Sequence, residues 1–225
     1  MPRDFKIVSD WMVKRMDFSI RPALLSDREQ LQFIWKSVFG DSDKEVETFF
    51  DTLFDPNLAI VANVDSGVIA SGYIIPAGTY LCSGHSFKCG MIYAVGTLPE
   101  FRGHGYASEV TRALIATGYN AGYEVIVLCP SDDSLFEFYS TRSELREWFF
   151  IHERIIEARH LISEDAIGSI KLTSITQQEY NSLRNRLLAD TPHIELDLKP
   201  ITYQNALFDT YGGGFYQADS LSGLG

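Results

Sequence analysis

Apolar positions along this chain recur in two periods, and the switches between them divide it into elements. Phe18-Ser-Ile-Arg-Pro22 reads as a short strand. Leu31, Phe33, Ile34, Val38 and Phe39 then fall near helical spacing, with Asp27 early, which predicts an amphipathic helix. Phe39-Gly-Asp-Ser-Asp43 stops that helix and offers a fresh N-cap, and a second helix runs through Val46, Phe49, Phe50 and Leu53. Leu58–Val64 and Val68–Ile75 read as strands joined by the turn Asp65-Ser-Gly67. Tyr80-Leu-Cys82, Ser83-Gly84 and Phe87-Lys-Cys89 predict a separate hairpin that would set Cys82 opposite Cys89, and Met91–Thr97 reads as another strand. A helix follows over Gly105–Tyr119, with Ala107, Val110, Leu114 and Thr117 on one face. Glu124–Leu128 is a buried strand, Asp132 or Asp133 caps a short helix through Leu135, Phe136 and Tyr139, and Arg146–His152 closes as a strand. This order predicts α/β layering around a mixed sheet.

The periodicity continues past a junction at Ile162–Gly168. Ile170–Ile175, a helix around Tyr180–Leu188 and Tyr211–Tyr216 carry too much apolar pattern for a disordered tail. They are too few to bury a core alone. The expected organisation is an N-terminal extension over 1–15, with Met16 an alternative start, a main domain over 16–160, and a partial or docked second lobe over 161–225. No internal repeat or low-complexity segment interrupts it.

Length and composition narrow the class. The 225 residues suffice for one large domain or one plus a smaller piece, and 45% hydrophobic with 22% charged content is ordinary for a globular protein, with no run long enough to span a bilayer. A net charge of −11 argues against nucleic acid as a partner and suits a cationic substrate, although the same acidity also serves solubility. The N-terminus lacks a secretory apolar segment, so the expected compartment is the cytoplasm, in a bacterial-type protein. Three cysteines, Cys82, Cys89 and Cys129, are an odd count without metal spacing, which predicts reduced thiols and no metal site.

The richest stretch is Met91-Ile-Tyr-Ala-Val-Gly-Thr-Leu-Pro-Glu-Phe-Arg-Gly-His-Gly-Tyr-Ala107: strand, Pro-marked turn, Gly-rich bend, helix start. Its core is Arg102-x-x-Gly105-x-Ala107. Small residues there let a ligand approach the backbone, and a helix N-terminus turns unpaired N–H groups toward it, a setting for a pyrophosphate. A P-loop would need Gly-Lys-Ser/Thr, but Tyr106-Ala107 follows Gly105. A dinucleotide fold would need a third glycine, glycines directly after the strand, and an acid ending the next strand. Gly103-His-Gly-Tyr-Ala-Ser108 and Leu128-Cys129-Pro130 supply none of these. A plain strand–loop–helix with a tight turn is a further reading.

From about Phe18 to Ile156 the chain resembles the GNAT superfamily of N-acetyltransferases. Val95-Gly-Thr97 and Pro99–Ala107 fit that family's strand-and-bend pattern, with Thr97 in a position usually valine, and Leu135-Phe-Glu-Phe-Tyr139 fits its helix ending in Phe-Tyr. The resemblance implies a mostly antiparallel central sheet flanked by helices, with acetyl-CoA as cosubstrate. Backbone groups of Val95, Gly96 and Thr97 would then line the pantetheine arm. Arg102, Gly103, His104, Gly105, Tyr106 and Ala107 would cradle the pyrophosphate, with the Arg102 side chain either at the ligand or bracing the loop. Tyr139 would be the acid that protonates the departing thiolate; on composition alone it reads as a core aromatic, and the family match reverses that. Ser143 stands where the family often has glycine.

No base is evident. Glu109, Glu137, His152 or a water relay could serve, and a Cys129 acyl route would need a positive neighbour. The paired helices around Trp35, Phe39–Asp43 and Phe49-Phe50, with the extra segment after Ile162, resemble the two-lobed, enhanced-intracellular-survival-like bacterial acetyltransferases. In that group a terminal carboxylate can act as base, a role not carried to Gly225. The expected activity is acetyl transfer from acetyl-CoA to a small or peptide primary amine, without nucleic acid, membrane or metal. The alternative is a CoA-binding sensor of the same fold. A homo-oligomer stays open.

Overall fold

The computed structural model describes residues 18–143, 145–148 and 170–220. Its central sheet runs in the order β1 (Ser19–Pro22), β2 (Ala59–Val64), β3 (Gly67–Cys82), β4 (His85–Thr97), β5 (Val125–Val127), antiparallel throughout except for the parallel β4–β5 pair. α1 (Arg28–Phe39) and α2 (Asp43–Thr52) cover one face, and α3 (Tyr106–Asn120) covers the other.

Local sequence explains the joins. Ser42 caps α2 by accepting from the Glu45 backbone N–H, and the Glu45 carboxylate bonds back to the Ser42 backbone N–H. Asp27 is buried where β1 leads toward α1; its carboxylate takes two hydrogen bonds from the Arg21 guanidinium (2.6 and 3.1 Å) and one from the Leu24 backbone N–H (2.8 Å). Trp35 packs against Phe49, Phe50, Tyr73 and Tyr93, tying α1 and α2 to the sheet. On the other face Val110 and Leu114 of α3 are fully buried against Ile74 and Ile92.

The expected strand Val68–Ile75 and the separate hairpin after it are one continuous hairpin, β3–β4. Pro76 and Gly78, which read as breakers, sit instead at a bulge inside β3. Gly78 holds φ at +132°, and a Cβ there would lie 2.0 Å from the Glu195 carbonyl oxygen, so only glycine lets the next strand approach. That long register also corrects the cysteine expectation. Cys82 lies opposite His85 and Cys89 opposite Gly78, so the two do not face each other; all three cysteines are free thiols.

The C-terminal segment docks on this sheet. β7 (His193–Leu196) pairs with β3 over Gly78–Leu81, beyond the reach of β2. α6 (Leu198–Thr210) buries Tyr203 against the α1–α2 face, and the Tyr203 hydroxyl lies 3.5 Å from that of Tyr93. α5 (Gln177–Leu188) and a two-stranded sheet of β6 (Ile170–Ser174) and β8 (Tyr216–Ser220) complete it, with Phe215 stacked on Tyr180. β7 and α6 had no counterpart in the sequence reading. β7 is only four residues long, and Pro200 looks like a breaker although it sits in the first turn of α6, where a missing N–H costs nothing. The expected strand Arg146–His152 lies largely outside the described residues, and Leu145–Trp148 form no strand. Among the described residues no helix is long and apolar enough to cross a membrane.

Candidate active site

The site begins where two strands part. β4 pairs with β5 only over Cys89–Met91, opposite Val125–Val127. Beyond Met91, β4 continues to Thr97 with no β5 partner, leaving one strand edge open. On the β3 side one extra residue enters β4: Ala94 and Val95 lie opposite Gly72 alone. Ala94 carries that bulge at φ +47°, an uncommon conformation for a residue with a Cβ. Gly72 is required by the packing, since a Cβ there would meet Leu114 at 2.8 Å and Val95 at 3.0 Å.

A groove of about 580 Å³ opens at this parting. Val38 and Phe39 of α1 line it from one face of the sheet. The Arg102–Ser108 bend, His104 excepted, and α4 (Asp133–Arg142), with Leu135, Phe138, Tyr139 and Arg142, also line it. Val95, Gly96 and Thr97 form its β4 wall.

The bend presents the start of α3. Gly103 and Gly105 adopt φ of +80° and +88°, and Gly105 is the N-cap, without any side-chain hydrogen bond at the cap. The first N–H groups of the helix therefore open on the groove, a natural anion site. A Cβ at either glycine would meet nothing within 4 Å, so both face free space. Arg102 donates from Nε to the Thr97 carbonyl (3.1 Å), which ties the loop to the strand end, and it also lines the groove. His104 points Nδ1 at the Arg102 carbonyl (2.9 Å) and stays exposed on the bend. Tyr106 is buried in the core and, with Ala107, also lines the groove.

Tyr139 is the buried residue of α4, and burial raises its phenol above the usual tyrosine range. The hydroxyl therefore stays protonated at neutral pH. Ser143, in the position where glycine was expected, closes the helix by donating its hydroxyl to the Tyr139 carbonyl (2.7 Å). The structure thus brings Val95–Thr97, Arg102, Gly103, Gly105, Tyr106, Ala107 and Tyr139 around one space, and leaves His104 outside its lining. The base candidates do not join them. Glu109 is ion-paired with Arg112, Glu137 is exposed on α4, and His152 lies outside the described residues. Asp132 lines the groove but is spent capping α4, accepting from the Ser134 backbone N–H (3.0 Å). Burial pushes the Cys89 thiol up to about 11, and Cys129 is exposed.

Sequence reasoning missed Val38, Phe39 and Arg142. Val38 and Phe39 read as core positions of an amphipathic helix. Arg142 lies one turn past Tyr139, the spacing at which two residues share a helix face, which was the available signal.

The groove thus combines uncapped N–H groups suited to an anion, an open strand edge that can pair with amide groups, and a buried phenol. No group of residues suited to a metal ion occurs among the described residues. The acetyltransferase (GNAT) domain family matches residues 19–142. Among solved structures, a GNAT family acetyltransferase of Brucella melitensis in complex with acetyl-CoA is similar at 21% identity and TM-score 0.44, covering 55% of this chain and 82% of its own. A glucosamine-6-phosphate N-acetyltransferase of Arabidopsis thaliana aligns at 18% identity and TM-score 0.47, covering 63% of this chain and 99% of its own. A GNAT family N-acetyltransferase of Escherichia coli in complex with CoA aligns at 21% identity and TM-score 0.46, covering 55% and 68%. No curated protein matches the sequence.

Proposed function

The chain belongs to the GNAT acetyltransferase family, and on that premise we propose that it transfers an acetyl group from acetyl-CoA to a primary amine by direct attack on the thioester. The observation that carries this reading is the convergence on one groove of the uncapped α3 N-terminus, the open β4 edge and the buried Tyr139.

In this reading the diphosphate lies on the N–H groups that follow Gly105, where the helix dipole favours negative charge. The pantetheine amides pair with β4 over Val95–Thr97 and satisfy backbone groups that β5 leaves open. The amine nitrogen attacks the thioester carbon. Collapse of the tetrahedral adduct breaks the C–S bond, and the sulfur takes the Tyr139 hydroxyl proton. The nitrogen releases its extra proton to water, and water returns a proton to the Tyr139 phenolate. Residues 161–225 act as a partial second lobe.

A second reading, a CoA-binding sensor without turnover, is favoured by one observation. Among the described residues that line the groove, the sole carboxylate is Asp132, already engaged. Titration calorimetry with acetyl-CoA, followed by thiol-release assays over a panel of amines, separates the two. Saturable binding with amine-dependent CoA release supports the enzyme, and binding without release supports the sensor. Failure of the folded protein to bind acetyl-CoA removes both.

A further inference from the structure

Part of what holds the open stretch of β4 comes from beyond residue 142, where the family match ends. Tyr93 is the last residue of β4 in regular register with β3, opposite Tyr73, before the bulge at Ala94 and Val95. Its ring stands on the α1–α2 face, stacked on Phe49 and packed against Trp35. Val95, on the far side of the bulge, packs with the α3 cluster on the opposite face. Ala94, at φ +47°, therefore lies between two anchors that pull toward opposite faces of the sheet. A conformation of that kind persists only where its surroundings over-determine it. Holding Tyr93 also holds the register, since a slip of one residue would turn its ring to the α3 face.

Tyr203 of α6 meets the outer end of Tyr93. The two hydroxyls are 3.5 Å apart and the rings meet edge to face at 6.4 Å, while Tyr203 also packs edge-on against Phe49. Tyr203 is buried, and burial, the Tyr93 hydroxyl and the nearby carboxylates of Asp41 and Glu45 raise its phenol well above the usual tyrosine range. Its hydroxyl is therefore neutral, and a buried hydroxyl needs a protein partner. Trp35 and Phe49 fix the Tyr93 ring by apolar contact, and the hydroxyl contact adds a directional hold at its tip. Neither tyrosine lines the groove.

We propose that Tyr203 is a positioning residue for the acetyl-CoA site: it fixes Tyr93, and through it the bulge that sets the β4 edge along Val95–Thr97. The C-terminal segment then tunes cosubstrate affinity without touching the cosubstrate, because an edge already in place need not be ordered on binding. The proposal rests on the acyl-CoA reading above.

The test is titration calorimetry with acetyl-CoA on the full chain, as wild type, Tyr203→Phe, Tyr93→Phe and the double variant. Tyr211→Phe is the control. The Tyr211 hydroxyl donates to the Glu45 carboxylate, so its loss loosens the same segment without reaching β4. Tyr203→Phe and Tyr93→Phe should each weaken acetyl-CoA binding about 3- to 10-fold, the span of one neutral hydrogen bond. The double variant should be no weaker than either single one, since both remove the same contact. Tyr211→Phe should stay within about twofold of wild type. In the ligand-free Tyr203→Phe variant, hydrogen exchange should accelerate along Ile92–Thr97 and stay unchanged across β2. Wild-type affinity in Tyr203→Phe overturns the proposal, and so do additive losses in the double variant. An equal loss in Tyr211→Phe overturns it as well, by assigning the effect to docking of the whole segment. If wild type does not bind acetyl-CoA, the acyl-CoA reading itself has failed, and the proposal falls with it.

Discussion

Replacing Gly105 by alanine tests the phosphate corner without a clash against any protein atom. Gly105 sits at φ +88°, where a residue with a Cβ is strained, and the added methyl would meet no protein atom within 4 Å. In the free protein the cost is therefore conformational, about 1–2 kcal/mol. For a chain of this size that lowers Tm by about 2–8 °C. In the complex the same methyl projects into the space assigned to the diphosphate. Loss of one charge-assisted hydrogen bond removes about 1.5–3 kcal/mol, equivalent to a Kd about 10- to 150-fold weaker.

A matched control exists in the same fold. Gly84, in the turn between β3 and β4, has φ +80° and also meets nothing within 4 Å, yet lies outside the groove. Gly84→Ala should reproduce the loss in Tm and leave acetyl-CoA affinity within about twofold, since it repeats the strain and not the obstruction. Calorimetric titration and a thermal scan on both variants decide the matter. Wild-type affinity in Gly105→Ala would refute the placement of the diphosphate. An equal loss in both variants would mean that backbone strain, not ligand contact, sets the affinity.

Three further perturbations probe other parts of the argument. Tyr139→Phe should lower kcat by about 100-fold with KM for acetyl-CoA changed less than threefold, because it removes a proton needed only as the thiolate leaves; unchanged turnover would make Tyr139 a packing residue. Gly78→Ala should release β7 from β3, because its Cβ would lie 2.0 Å from the Glu195 carbonyl; hydrogen exchange should then accelerate across His193–Leu196 while β2 stays protected, and uniform protection would contradict the close approach. Arg21 and the Leu24 N–H hold the Asp27 carboxyl below its ordinary value, so its contribution is full above about pH 4 and fades as pH falls through the depressed folded value. Asp27→Asn should cost about 1–3 kcal/mol at pH 7 and flatten the fall in urea midpoint between pH 7 and 3, and an unflattened profile would assign acid sensitivity elsewhere.

The legible part of the chain is the part whose physics is local. Leu31 and Ile34 of α1, the Ser42 cap and the Gly-rich entry to α3 each rest on contacts within a few residues and stand where periodicity and capping rules put them, whereas Phe33 and Phe39, read into the same α1 stripe, are exposed and Trp35 is buried in their place. The hairpin was misread for the opposite reason. Pro76 and Gly78 break a strand by any local rule. They are tolerated because a partner 117 residues further along, Glu195, fills the space that a side chain would take. β7 escaped notice for the same cause, since four residues form a strand only where a ready edge waits. Arg142 illustrates a third limit. Its charge was plain in the sequence, but whether an exposed arginine on a short helix faces bulk solvent or a groove depends on where β4 and β5 part.

That parting is the feature on which stability and chemistry meet. A strand that leaves its neighbour forfeits ladder hydrogen bonds worth about 0.5–1.5 kcal/mol each, and the Ala94 conformation adds strain of about 1–3 kcal/mol. Both costs fall on β4 between Met91 and Thr97, and the sequence surrounds that stretch with compensation. Tyr93 packs on Trp35 and Phe49, Ile92 is fully buried against the α3 face, and Gly72 admits Val95 and Leu114 at close quarters. The side chains of β4 are thus anchored on both faces while its outer backbone edge stays open. Packing of this kind cannot close the edge, because it acts perpendicular to the hydrogen-bond plane. A ligand that supplies amides along that edge recovers what the missing strand gave up. It follows that CoA should raise hydrogen-exchange protection along Ile92–Thr97 more than across β2, whose ladder partners are already in place.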